Sequence, residues 1–118
     1  MRGLIAIAAL LCLFLLVRPA GSSATTSTAV GVSEREWSVT LGRVKAPHGT
    51  ITLNITNFGQ DVHDIVVRKH GIGFGFSGRI PSGGRTTLTV HLKPGVYSVS
   101  CNIPGHRALG MRATLTVT

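Results

Sequence analysis

Four side chains with soft or borderline metal-binding atoms stand in the second half of the chain: His63, Cys101, His106 and Met111. The last three follow a C-x4-H-x4-M spacing within residues 101–111. Two imidazoles, one thiolate and one thioether form a donor set suited to copper. Thiolate and thioether favour Cu(I), imidazole also tolerates Cu(II), and a weak axial thioether completes a trigonal site. Zinc is the rival for Cys and His, but structural zinc sites use four Cys/His ligands in CxxC or HxxxH pairs. Neither pairing occurs in this sequence.

Such donors must be brought together by the elements that carry them. Short segments of alternating polarity run from residue 37 to the end, broken by Gly and Pro. Trp37, Val39 and Leu41 alternate with polar neighbours, as do Ile51, Leu53 and Ile55, then Leu88, Val90 and Leu92, then Ala113, Leu115 and Val117. Residues 62–68 are more continuously apolar, and residues 96–101 follow a Pro94-Gly95 turn. Side chains alternate faces along a strand, so parity tests whether the donors can meet. His63 shares parity with Ile65 and Val67, Cys101 with Val99 and Tyr97, and Met111 with Ala113, Leu115 and Val117. Three donors therefore face inward at one end of an all-β Greek-key barrel or sandwich of about seven to eight strands. His106 is expected in a loop that closes over them. Residues 70–84, rich in glycine, are expected to be irregular, with Phe74 and Phe76 packed over one end of the barrel. Trp37, Phe58 and Tyr97 are expected in the core. His48, His70 and His91 fall at turn or outward positions and are expected to stay in solvent.

The chain has 118 residues, room for one modest domain. Charged residues are 14% and apolar residues 43%, a balance that excludes a wholly disordered chain. Residues 4–17 form an uncharged apolar run of 14 residues after Arg2. A spanning helix needs about 20, whereas about 7–15 suit the apolar segment of a secretory signal. Residues 1–24 are therefore expected to be a signal peptide, or an uncleaved anchor, since Arg18 follows the apolar run. Residues 25–33, rich in Ser and Thr, are expected to be a linker, and residues 34–118 the domain. Loss of the leader removes Cys12 and leaves Cys101 without a disulfide partner, so export to the periplasm or another extracytoplasmic space implies a thiol that is buried or ligated. Twelve Lys and Arg, less Arg2 and Arg18, leave ten against four Asp and Glu. Export and the lack of a basic run exclude nucleic acid as partner. A diffuse positive field suits an acidic redox partner or anionic surface.

From residue 37 to residue 118 the sequence resembles the cupredoxins, the small blue copper proteins related to plastocyanin, azurin and rusticyanin. The resemblance rests on residues 59–64 around the first His, residues 94–101, Pro104-Gly105-His106 and Gly110-Met111. It implies a Greek-key β-barrel, one type 1 copper ion and one-electron transfer between a redox donor and acceptor, with ligand roles on His63, Cys101, His106 and Met111. The residue after the first His is often Asn in that family and is Asp64 here. The resemblance implies that Asp64 ties the two ligand loops together near Cys101, accepting a hydrogen bond from Asn102. Ile103, Pro104, Leu109 and Arg107 surround His106 and are expected to form the rim on which a partner docks.

Two other functions compete with an exported, monomeric electron carrier. A module of a copper oxidase system would need further copper sites with His-x-His pairs, and the sequence has none. A copper-trafficking protein favours exposed Met/His clusters, and the only methionines are Met1 and Met111.

Overall fold

The computed structural model describes residues 16–18, 21 and 26–118. Most of the leader, expected over residues 1–24, lies outside the described residues. Among the described residues no helix is long and apolar enough to cross a membrane.

Two β-sheets face each other. The first contains β1 (Thr28–Arg35), β2 (Ser38–Leu41), β4 (Gly49–Asn57) and β7 (Arg85–Leu92), in the order β2-β1-β4-β7. The second contains β3 (Lys45–Ala46), β5 (Val66–Lys69), β6 (Ile72–Phe76), β8 (Gly95–Ser100) and β9 (Arg112–Val117), in the order β3-β9-β8-β5-β6. A short helix, α1 (His106–Leu109), sits between β8 and β9. The class is the expected all-β sandwich, with nine strands among the described residues.

The core lies between the sheets and is built by strict alternation. Val30, Val32, Ile51, Leu53, Ile55, Val90 and Leu92 point inward from one sheet. Val67, Tyr97, Val99, Leu115 and Val117 meet them from the other. Strand β1 runs parallel to β4, with Val30 opposite Leu53, Val32 opposite Ile55 and Glu34 opposite Asn57. Residues 28–33 are thus a central strand of the first sheet and not a linker. Their Ser, Thr and Gly lie at outward positions, while Val30 and Val32 are fully buried. Burying a valine contributes about 1.5–3 kcal/mol, which outweighs the weak strand preference of the residues between.

Three further expectations change. Strand β6 occupies part of the stretch read as irregular. It pairs with β5 through a two-residue turn, Lys69 opposite Ile72. His70 and Gly71 in that turn both have positive φ, 50° and 75°, the conformation that a tight hairpin with native twist requires. Phe74 and Phe76 stand exposed on β6, Phe74 resting edge-on against Tyr97. Trp37 and Phe58 are also outside the core. Phe58 lies under the Arg35 guanidinium, 4.9 Å from its centroid, and Trp37 belongs to the metal-facing end described below. Residues 62–65 are not strand-paired along their length; His63 forms an isolated bridge with Ile80 and β5 begins at Val66. His48, His70 and His91 are exposed, as expected.

Candidate metal centre

Strand direction brings three donors to one end of the second sheet. β8 is antiparallel to both β5 and β9, so the end of β8 adjoins the starts of the other two. Cys101 directly follows β8, and its N–H donates to the carbonyl of Met111, directly before β9, at 3.0 Å. His63 precedes β5 and is held by reciprocal backbone bonds with Ile80, of 3.1 and 2.7 Å. His106 opens α1, where its N–H donates to Ile103 (3.1 Å) and its carbonyl accepts from Met111 (3.2 Å). The expected loop position of His106 is therefore a short helical turn.

Asn57 shapes the loop that leads into His63. Its side-chain amide donates to the carbonyls of Asp61 (2.8 Å) and Ile80 (2.9 Å), and its side-chain oxygen accepts from Gly59 N–H (2.8 Å). Asn57 is fully buried, and these three bonds tie the loop before His63 to the segment carrying Ile80.

The donor atoms converge. His63 Nδ1 lies 3.2 Å from His106 Nδ1, and Cys101 Sγ lies 3.6 Å from His106 Nδ1. The donors of His63, Cys101 and His106 all fall within 4.8 Å of one another. His63, Cys101 and Met111 are fully buried, and His106 is half-buried. Burial pushes the Cys101 thiol above its ordinary range, and the nearby backbone N–H groups of Asp64 and Ile103 oppose that shift. A buried thiol this close to two imidazole nitrogens is prepared for a cation that replaces its proton. Two imidazole nitrogens and one sulfur, with no carboxylate oxygen among them, are compatible with one copper ion.

The other expected residues surround this cluster. Asp64, nearly buried, accepts the backbone N–H of Asn102 at 2.6 Å. Asn102 in turn accepts from Arg68 through its side-chain oxygen (2.9 Å). Pro104, Arg107 and Leu109 are exposed, while Ile103 is half-buried against the core.

Sequence reasoning missed the turn between β1 and β2. Glu36 accepts from His63 Nε2 (2.9 Å), from Asp61 N–H (2.7 Å) and from Gln60 N–H (2.9 Å). The Asp61 and Gln60 N–H groups are the main reason its carboxyl is held down at about 2. Trp37 makes T-shaped contacts with both imidazoles, 4.8 Å from His106 and 6.3 Å from His63 between centroids. Two glycines permit this approach. A Cβ on Gly59 would lie 2.5 Å from Glu36 Oε1, and a Cβ on Gly110 would lie 2.7 Å from the Trp37 carbonyl. One signal was available in the sequence. Acids number only four, Glu34, Glu36, Asp61 and Asp64, and all four gather at this end.

The model of the cupredoxin-like domain matches residues 6–117. The chain belongs to this cupredoxin-like family. Solved structures share its fold at low identity. An auracyanin from the photosynthetic bacterium Roseiflexus castenholzii is 21% identical with a TM-score of 0.61, over 81% of this chain and 99% of that one. Rusticyanin from Thiobacillus ferrooxidans is 20% identical with a TM-score of 0.67, over 78% of this chain and 77% of that one. An azurin from Methylomonas sp. strain J is 18% identical with a TM-score of 0.62, over 80% of this chain and 99% of that one. No curated protein matches the chain. The cupredoxin-like sandwich thus carries a His-Cys-His cluster at the end where its ligand loops meet.

Proposed function

We propose that this cupredoxin-like protein is an exported carrier of single electrons, with one copper ion held by His63, Cys101, His106 and Met111. The observation that carries the proposal is the convergence of His63 Nδ1, Cys101 Sγ and His106 Nδ1 in a buried cluster. Copper in such a site supplies reversible one-electron chemistry.

The protein's own part is positioning and exclusion of water. His63, Cys101 and Met111 sit at the ends of strands or bridges, where backbone bonds limit their movement. A rigid donor set serves both oxidation states without rearrangement. Burial of these three also favours a resident ion over one handed between proteins. His106 alone is half-exposed, so its ring edge is the natural exit for an electron, with Ile103, Pro104 and Leu109 as an apolar rim and Arg107 beside it. Such a rim permits close approach, and weak redox encounters bury little area. The net positive charge would orient an acidic redox partner. The apolar run at residues 4–17 supports an extracytoplasmic site of action, and the absence of any His-x-His pair argues against catalysis by this chain alone.

The optical spectrum of the copper-loaded protein tests this reading. The protein should take up one copper ion, its Cu(II) form should show an intense visible band from the Cys101 thiolate, and Cys101→Ala should remove that band. A mutant that keeps the band, or a protein that binds stoichiometric zinc and refuses copper, overturns the assignment.

A further inference from the structure

We propose that Glu36 is the positioning residue of His63, a carboxylate that fixes the imidazole with Nδ1 free for the metal and that favours the oxidised state of the site. The proposal rests on the copper reading above and adds to it a residue outside the four ligands.

The geometry assigns opposite jobs to the two ring nitrogens of His63. Nε2 lies 2.9 Å from Glu36 Oε1, and Nδ1 lies 3.2 Å from His106 Nδ1. A carboxylate only accepts hydrogen bonds, so Nε2 must be the donor. The neutral ring then carries its lone pair on Nδ1, the nitrogen that faces His106 and Cys101. Glu36 itself cannot serve as a ligand by way of this contact, because it meets the far side of the ring.

The carboxylate is locked in place. Gln60 and Asp61 donate to it through backbone N–H groups at 2.9 and 2.7 Å. Gly59 leaves the space it fills, since a Cβ there would lie 2.5 Å from Oε1. The preceding strand, β1, is a central member of the first sheet, so the turn that carries Glu36 is anchored on a paired strand. Ligating histidines commonly donate their second N–H to a carboxylate or carbonyl, which fixes the ring and raises its basicity. A full negative charge at that position strengthens the donor toward Cu(II) more than toward Cu(I).

Three measurements test this. In the metal-free protein, nitrogen NMR should find the neutral His63 ring protonated on Nε2; a ring protonated on Nδ1 overturns the proposal, whether or not copper binds. In the copper-loaded protein, Glu36→Gln should keep the visible band but weaken Cu(II) binding about tenfold relative to Cu(I), read as a potential higher by about 59 mV. Gly59→Ala, which pushes the carboxylate away without removing a charge, should move the potential in the same direction. Asp61→Asn is the control, because Asp61 is exposed and its side chain makes no bond to His63. An unchanged potential in Glu36→Gln, or an equal rise in Asp61→Asn, overturns the positioning role and leaves only a general field. A wild-type protein that takes up no copper overturns the copper reading instead, and the NMR result then decides the role of Glu36 by itself.

Discussion

Asp64 shows how one side chain can serve two loops. Its carboxylate, on the loop before β5, accepts the N–H of Asn102, on the loop after β8, at 2.6 Å. Asp64→Asn preserves the shape and an acceptor oxygen but removes a negative charge next to the donors. We expect the variant to keep copper and to show a higher potential by protein-film voltammetry, since the lost charge favoured Cu(II). Loss of the metal, or a lower potential, would contradict that role. Met111→Gln tests the axial position from the other side. An amide oxygen stabilises Cu(II) better than a thioether, so copper should stay and the potential should fall; an unchanged potential removes Met111 from that position. Met111 was legible in the sequence because it stands directly before a strand and shares its parity, and Asp64 because it follows His63 in the stretch that carries the family resemblance. Glu36 was not legible. It lies 27 residues before His63, in a turn with no motif of its own, and its role depends on a packing of two sheets that no local pattern announces.

At the scale of elements, the metal-facing end has three walls: the loop before β5, the segment containing α1, and the turn between β1 and β2. The first two were readable from alternation and from the ligand spacing. The third was hidden because β1 was read as a linker, on the strength of its Ser, Thr and Gly content. The alternation of Val30, Val32 and Glu34 was present but diluted by small residues. Strand β6 was hidden for a similar reason, since its glycines suggested a loop. The consequence for β1 is testable by truncation. β1 lies between β2 and β4 in its sheet. A chain beginning at residue 34 loses the buried Val30 and Val32, at about 1.5–3 kcal/mol each. It also strips both β2 and β4 of a hydrogen-bonded neighbour. Compared with a chain beginning at residue 26, it should melt far lower by circular dichroism, or fail to fold, and should not develop the copper band. Equal melting of the two chains would return residues 28–33 to the status of a linker.

Twelve Lys and Arg stand against four acids in the sequence, and the four acids all lie at the metal-facing end. Glu34 is the most unusual of the four. It points inward from β1, is fully buried, and neither carboxylate oxygen has a hydrogen-bond partner. Burial first, and the nearby Asp64 charge second, raise its pKa from 4.5 to about 8. The folded protein therefore holds this proton at neutral pH, whereas the unfolded chain releases it above 4.5. Between those two values the folded state binds more protons, so the contribution of Glu34 to stability declines as pH rises. The decline is about 1.4 kcal/mol per pH unit. It is absent below the unfolded pKa and complete once the pH passes the folded one. Glu34→Met keeps a side chain of similar length and removes the titrating group. Urea unfolding of metal-free wild type and variant, at matched pH values from 5 to about 8.5, isolates the effect, because the two chains differ only at this side chain. The difference curve should rise with pH in favour of Glu34→Met and level off above the folded pKa. Two parallel curves would mean that the carboxyl finds a partner or water in solution and ionises without cost to the fold.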